Sequence, residues 1–200
     1  MARGSGRSSY TRQNIAHLAA RLIAQDGIED YAVAKRKAAR QAGAPDTREL
    51  PDNDEIDAAL KIYRELYQSE HPAQLRELRE VALEVMDDLA PYTPYLTGPV
   101  LTGNAGKYAG IFLQIYTVES KGVEHYLLNN GIEFQLSDTT LYAGDRELRL
   151  AMLSFERSGV EIHLTVLSPH ELRVPLRTTR AGKPLKRAKR DAVAKLLETD

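Results

Sequence analysis

Thr97-Gly98-Pro99-Val100-Leu101-Thr102-Gly103-Asn104-Ala105-Gly106-Lys107-Tyr108-Ala109-Gly110-Ile111-Phe112-Leu113-Gln114-Ile115-Tyr116 reads as a glycine-rich turn, a short polar crossing and then a buried strand. Residues 111–117 are rich in β-branched and aromatic side chains and are bounded by Gly110, which predicts a strand. Gly98, Gly103 and Gly106 permit turns between a helix and a sheet. Backbone N–H groups at such a turn can also cradle an anion, and Lys107 adds a point charge beside it.

Downstream of this stretch, residues 119–130 have helical spacing at Val123, Tyr126 and Leu127, with Asn130-Gly131 as the stop. Residues 132–136 alternate as a strand. Residues 148–155 and 160–167 read as two strands around Arg157-Ser158-Gly159, a connection typical of an antiparallel hairpin. Beyond Pro169 the chain becomes polar and basic, and 185–197 can close as a last helix.

Upstream, Ile15, Leu18, Ala19, Leu22 and Ile23 mark an amphipathic helix ended by Gly27, and a second follows over about 30–41. Asp52 and Asn53 can cap a third helix with a stripe of Ile56, Leu60, Tyr63 and Tyr67. Pro72 suits the first turn of a fourth, which carries Leu75, Leu78, Val81, Ala82 and Val85. The composition changes at Pro91. The expected organisation is a flexible tail over 1–10, a helical region over 11–90, an α/β core over 91–170, and a basic connection with a C-terminal helix over 171–200. The expected fold class is α+β, a helical N-terminal region followed by a small mixed β-sheet with helices.

Composition narrows the function classes. The 200 residues suffice for one full domain or two small ones. A net charge of −1 gives no global attraction to nucleic acid or anionic membrane, so any polyanion site must be local. The absence of Cys removes thiolate catalysis, disulfides and Cys-based metal sites. No apolar run approaches a membrane span and no signal-peptide segment is visible, so a cytoplasmic protein that does not enter the membrane is expected.

The spacing from Gly98-Pro99 to Gly110-Ile111-Phe112-Leu113 resembles the signature of the polymerase-beta-type nucleotidyltransferase superfamily. The wider stretch, with Ser120-Lys121-Gly122-Val123-Glu124, resembles uncharacterised bacterial nucleotidyltransferase-like proteins. The resemblance implies a nucleotidyltransferase-like core and binding of a nucleoside triphosphate with Mg²⁺, with Gly98, Gly103, Gly106 and Lys107 as nucleotide-binding residues. Nucleotidyl transfer needs two metal ions held by carboxylates, which the family carries as Asp-hydrophobic-Asp on the strand. This chain has Gly110 and Phe112 at those positions, so impaired two-metal chemistry is expected and the metal ligands are unassigned. With Val160, Ile162 and Leu164 facing the core, Glu161 and His163 share the opposite face, and Glu161 is the candidate catalytic carboxylate. Asp138 and Asp145 are the other acids that the fold can bring to the site.

A competing expectation is a nucleic-acid-binding or regulatory interaction protein. From Arg173 to Arg190 the chain has eight basic residues and no acid, among them Lys186, Arg187, Lys189 and Arg190, which are candidates for phosphate contact. The same charges can instead neutralise the acidic helices between Asp52 and Asp88. The first two helices also look like those of a tetracycline-repressor-type DNA-binding domain, but Pro45 and Pro51 stand where its recognition helix should follow. The five histidines include no pair at zinc-site spacing.

Overall fold

The computed structural model describes residues 4–28, 30–106, 108–180 and 182–199. The chain divides into two compact units, Met1–His71 and Pro72–Asp200.

The first unit holds three helices, α1 (Gly4–Asp26), α2 (Tyr31–Gln41) and α3 (Asn53–Tyr67). Helix α1 begins inside the segment expected as a flexible tail. Ile15, Ala19, Ala20 and Leu22 of α1 pack with Ala34 and Ala38 of α2 and with Ile56 and Leu60 of α3. The small α2 side chains suit close helix packing. Asp30 caps α2 by accepting from the N–H groups of Ala32 and Val33. Asp52 and Glu55 form a capping box at α3: the Glu55 N–H donates to Asp52 Oδ1 at 2.9 Å and the Asp52 N–H donates to Glu55 Oε2 at 2.7 Å. Arg12 of α1 donates to both oxygens of Glu55, at 2.6 to 2.9 Å. It holds that carboxyl below its ordinary range, mainly through these bonds and then through the Asp52 N–H.

In the second unit a seven-stranded mixed sheet runs β6-β3-β4-β5-β2-β1-β7, larger than the small sheet expected. Its strands are β1 (Pro94–Thr97), β2 (Ile111–Tyr116), β3 (Gln135–Ala143), β4 (Arg146–Arg157), β5 (Val160–Leu167), β6 (Leu176–Arg177) and β7 (Arg187–Ala188). The pair β2 and β5 is parallel, and β1/β2, β1/β7, β3/β4, β3/β6 and β4/β5 are antiparallel. The helices of this unit are α4 (His71–Asp88), which enters it from Pro72, α5 (Gly98–Thr102), α6 (Ser120–Asn129) and α7 (Arg190–Thr199).

One face of the sheet buries Leu96, Ile111, Leu113, Ile162 and Leu164 against Leu78, Val85 and Met86 of α4, Val123 of α6 and Val193 of α7. Helix α4 therefore shares the core of the sheet, whereas the change of composition at Pro91 placed it with the N-terminal helices. On the opposite face Tyr95, Tyr116, Leu167 and Leu176 form a smaller cluster with Leu172 and Leu185 from the C-terminal connection. Strand β2 is covered on both faces, which explains its nearly continuous apolar run. Among the described residues no helix is long and apolar enough to cross a membrane.

Candidate functional site

On the face of the sheet away from α4, three adjacent strands converge on the imidazole of His163. Phe112 of β2 and Ser154 of β4 are its direct neighbours in the parallel and antiparallel registers. The rings of Phe112 and His163 stack with centroids 4.6 Å apart and planes 21° from parallel. Ser154 Oγ lies 2.9 Å from His163 Nδ1, and Glu161 Oε2 lies 3.7 Å from Nε2. The imidazole is 15% exposed and the Glu161 side chain 65%, so the pair spans from the sheet surface to solvent. With the ring proton on Nε2, facing the Glu161 carboxylate, Nδ1 accepts from the Ser154 hydroxyl; with it on Nδ1 the roles reverse.

Gly110 explains how the ring fits. A β-carbon at position 110 would stand 2.9 Å from His163 Cδ2 and Nε2 and 3.2 Å from the carbonyl oxygen of Glu161. The imidazole thus fills the space that any larger residue at 110 would enter. Gly98, with φ +74°, makes the corresponding close approach to Phe112, whose Cδ2 would lie 3.3 Å from a β-carbon there.

A β-carbon on Gly103 or Gly106 would meet no atom of this cluster within 4 Å. Gly103 caps α5 in the left-handed conformation, and a β-carbon on it would face Arg79 and Leu75 of α4 at 3.9 Å. Gly106 faces open space, and Lys107 lies outside the described residues. Asp138 pairs across to Ala151 on β4, and Asp145 sits in the turn between β3 and β4. Among the described residues no three His, Asp or Glu side chains come together in a way that could hold a metal ion. Among the described residues, then, no such group stands at the place where the resemblance implies Mg²⁺.

An open groove of about 560 Å³ is lined by Ser154, Glu161, Tyr108, Glu133, Phe134 and Glu156, and also by Leu78 of α4 and Phe155 from the other face of the sheet, but not by His163. No Lys or Arg among the described residues lines it. The groove is acidic and aromatic, a poor place for an uncompensated polyanion.

The basic C-terminal stretch is largely engaged within the fold. Arg187 donates to the Tyr116 hydroxyl at 2.7 Å and to the Leu172 carbonyl, with its guanidinium 5.8 Å from the Tyr95 ring centroid. The Tyr116 hydroxyl donates in turn to Gln114 Oε1 at 2.7 Å, completing a chain through a nearly sealed glutamine. Arg190 forms a two-pronged ion pair with Asp87 of α4 at 2.8 and 3.0 Å. Lys189 lies 6.0 Å from the Tyr95 ring centroid, and Lys186 is exposed. Two of the four residues expected to reach nucleic acid are therefore tied to side chains of their own domain.

The facing of Glu161 and His163 follows from strand alternation and is legible in sequence. Ser154 is not: its place beside His163 depends on the β4/β5 register, and a lone serine in a strand carries no signal. In comparisons with known proteins, no family model, curated protein or solved structure matches this chain.

Proposed function

We propose that the protein is a nucleotidyltransferase-like protein that binds a nucleoside triphosphate at the turn beginning with Gly98 and does not transfer the nucleotide. The observation that carries the second half is the contact between Gly110 and His163. Two-metal transfer needs a carboxylate on this stretch of chain, and the imidazole occupies the room such a side chain requires. Phe112, the other position of the expected pair, stacks on the same ring.

The order of β1, α5 beginning at Gly98, and β2 supports the first half, as does the parallel strand β5 that presents Glu161 on the face of Phe112. The phosphates would lie at Gly98, where α5 begins. A counter-ion from solution would lower the remaining repulsion.

Thermal denaturation against ATP, GTP, CTP and UTP, each with and without Mg²⁺, tests both halves. At about 100 times its dissociation constant a nucleotide stabilises the fold by roughly 2.7 kcal/mol. The expected result is stabilisation by at least one nucleotide without release of pyrophosphate. No shift with any of the four removes the binding reading. Turnover to pyrophosphate removes the claim of lost transfer.

A further inference from the structure

The ring that fills the place of the missing acids brings chemistry of its own. We propose that Ser154 is a nucleophile toward carboxylic esters, with His163 as its general base and Glu161 as the residue that positions the base. This goes beyond the nucleotide reading and is independent of it.

A serine hydroxyl is a weak nucleophile unless a base within hydrogen-bond reach takes its proton and a third group orients that base. Ser154 Oγ stands 2.9 Å from Nδ1, and the Glu161 carboxylate faces Nε2 at 3.7 Å, an ion-pair rather than a hydrogen-bond distance. Phe112 on one side and the bare backbone of Gly110 on another hold the ring in this pose. Ser154 and Glu161 both border the groove, whose lining does not include His163.

The reaction balances with water as the only co-reactant. Ser154 Oγ bonds to the acyl carbon while its proton passes to His163 Nδ1. The tetrahedral adduct collapses, the alcohol leaves and takes that proton, and the acyl group remains on Ser154. Water then gives a proton to the freed Nδ1 as its oxygen attacks the acyl carbon. The carboxylic acid departs as the proton returns to Ser154 Oγ. The lining selects the substrate: Glu133 and Glu156 disfavour anions, and Phe134 offers an apolar wall. Esters with neutral or cationic groups fit, and esters of dicarboxylates do not.

The test uses the full chain without nucleotide and a fluorophosphonate probe, which serine oxygen attacks at phosphorus with loss of fluoride. Mass spectrometry of the intact wild type followed by peptide mapping should place one adduct on Ser154. S154A should not label, and H163Q should label at least about 100-fold more slowly, the lower end of the usual effect of a general base. Mapping of the wild type stands even where a variant fails to fold. For Glu161 the readout is the ¹⁵N spectrum of the His163 ring: Nδ1 should be the unprotonated nitrogen, and E161Q should weaken that preference. Absence of an adduct, an adduct elsewhere such as Tyr108, or unchanged labelling of S154A overturns the proposal. A protonated Nδ1 in the neutral ring overturns the assigned roles of His163 and Glu161.

Discussion

A β-carbon on residue 110 would stand 2.9 Å from the ring of His163, closer than such carbons approach any neighbour in a relaxed fold. Gly110→Ala should therefore destabilise the sheet domain by about 1–3 kcal/mol, the usual cost of overpacking. Gly110→Asp should cost at least as much. In a His163→Ala background the Gly110→Ala penalty should shrink, because the colliding ring is gone. Urea titrations of the four proteins supply the comparison, and a Gly110→Ala midpoint equal to that of the wild type would remove the steric argument.

Arg187 satisfies the Tyr116 hydroxyl and the Leu172 carbonyl at once. Arg187→Met should leave both with one partner fewer and lower stability by about 1–3 kcal/mol. Arg187→Lys should recover only part of the loss, since an ammonium lacks the planar fork. Differential scanning calorimetry would show the sheet domain melting earlier in both variants, and an unmoved transition argues against the network.

Tyr116 also makes alkaline stability predictable. Burial raises its phenol above the ordinary value of 10.0, and the Arg187 cation only partly opposes this. The folded state thus keeps its proton where the unfolded chain has begun to lose it, so stability should fall as pH rises above 10.0. Tyr116→Phe should flatten that decline in denaturation midpoints measured across the alkaline range. An equally steep decline in the variant would assign the loss to other groups.

In the helical unit the sign is reversed. The Glu55 carboxyl is depressed below its ordinary 4.5 by Arg12 and the Asp52 N–H, so its contribution is present above that pH and lost as the solution is acidified through the lowered value. Circular dichroism melts should show the helices weakening in acid, and Glu55→Gln should weaken them at neutral pH while reducing the dependence on acid. Asp52→Ala removes the other half of the capping box and should cost about 1 kcal/mol. An acid profile in Glu55→Gln identical to that of the wild type would show that the pair is not the source.

Ser158 and Gly159 form the two-residue turn between β4 and β5, with φ of +53° and +76°. Two positive values suit the primed turn that prefers Asn-Gly. Ser158→Asn should stabilise the sheet domain by about 0.5 kcal/mol, since asparagine adopts this conformation more readily than serine. A denaturation midpoint at or below that of the wild type would contradict the turn assignment.

The helices were largely legible because apolar residues recur at helical spacing and Gly27, Gly43 and Asp52 punctuate them. Strands β2, β4 and β5 were legible in part for the matching reason, their runs of branched and aromatic residues. Strand β3 was misplaced: residues 132–136 were expected, whereas the strand runs Gln135–Ala143. Its first residues are exposed on both faces, so they need no alternation, and the local clue was Gly144-Asp145 between paired ends. The last helix was expected from 185, but 187 and 188 pair with β1 as β7, and α7 starts at Arg190. Such short edge pairings exist only because a partner strand is already in place.

The site was legible to the same depth. That no acid stands at 110 or 112 was visible in the residues themselves, and strand alternation set Glu161 and His163 on one face. What occupies the space instead was not visible, because it depends on the register of three strands that meet from distant parts of the chain.

The parallel pairing of β2 with β5 has a consequence for the order in which the domain assembles. Residues 111–116 have their permanent neighbour at 162–167, and α6, β3 and β4 are threaded between them. Local hairpins close early and long loops late, so β3-β4-β5 can form as a meander before it meets β2. Until then β2, the most apolar strand of the sheet, has only β1 beside it. On the ribosome, a chain halted before residue 160 would expose that strand, and the interval in which aggregation threatens this protein is the time taken to make its next fifty residues.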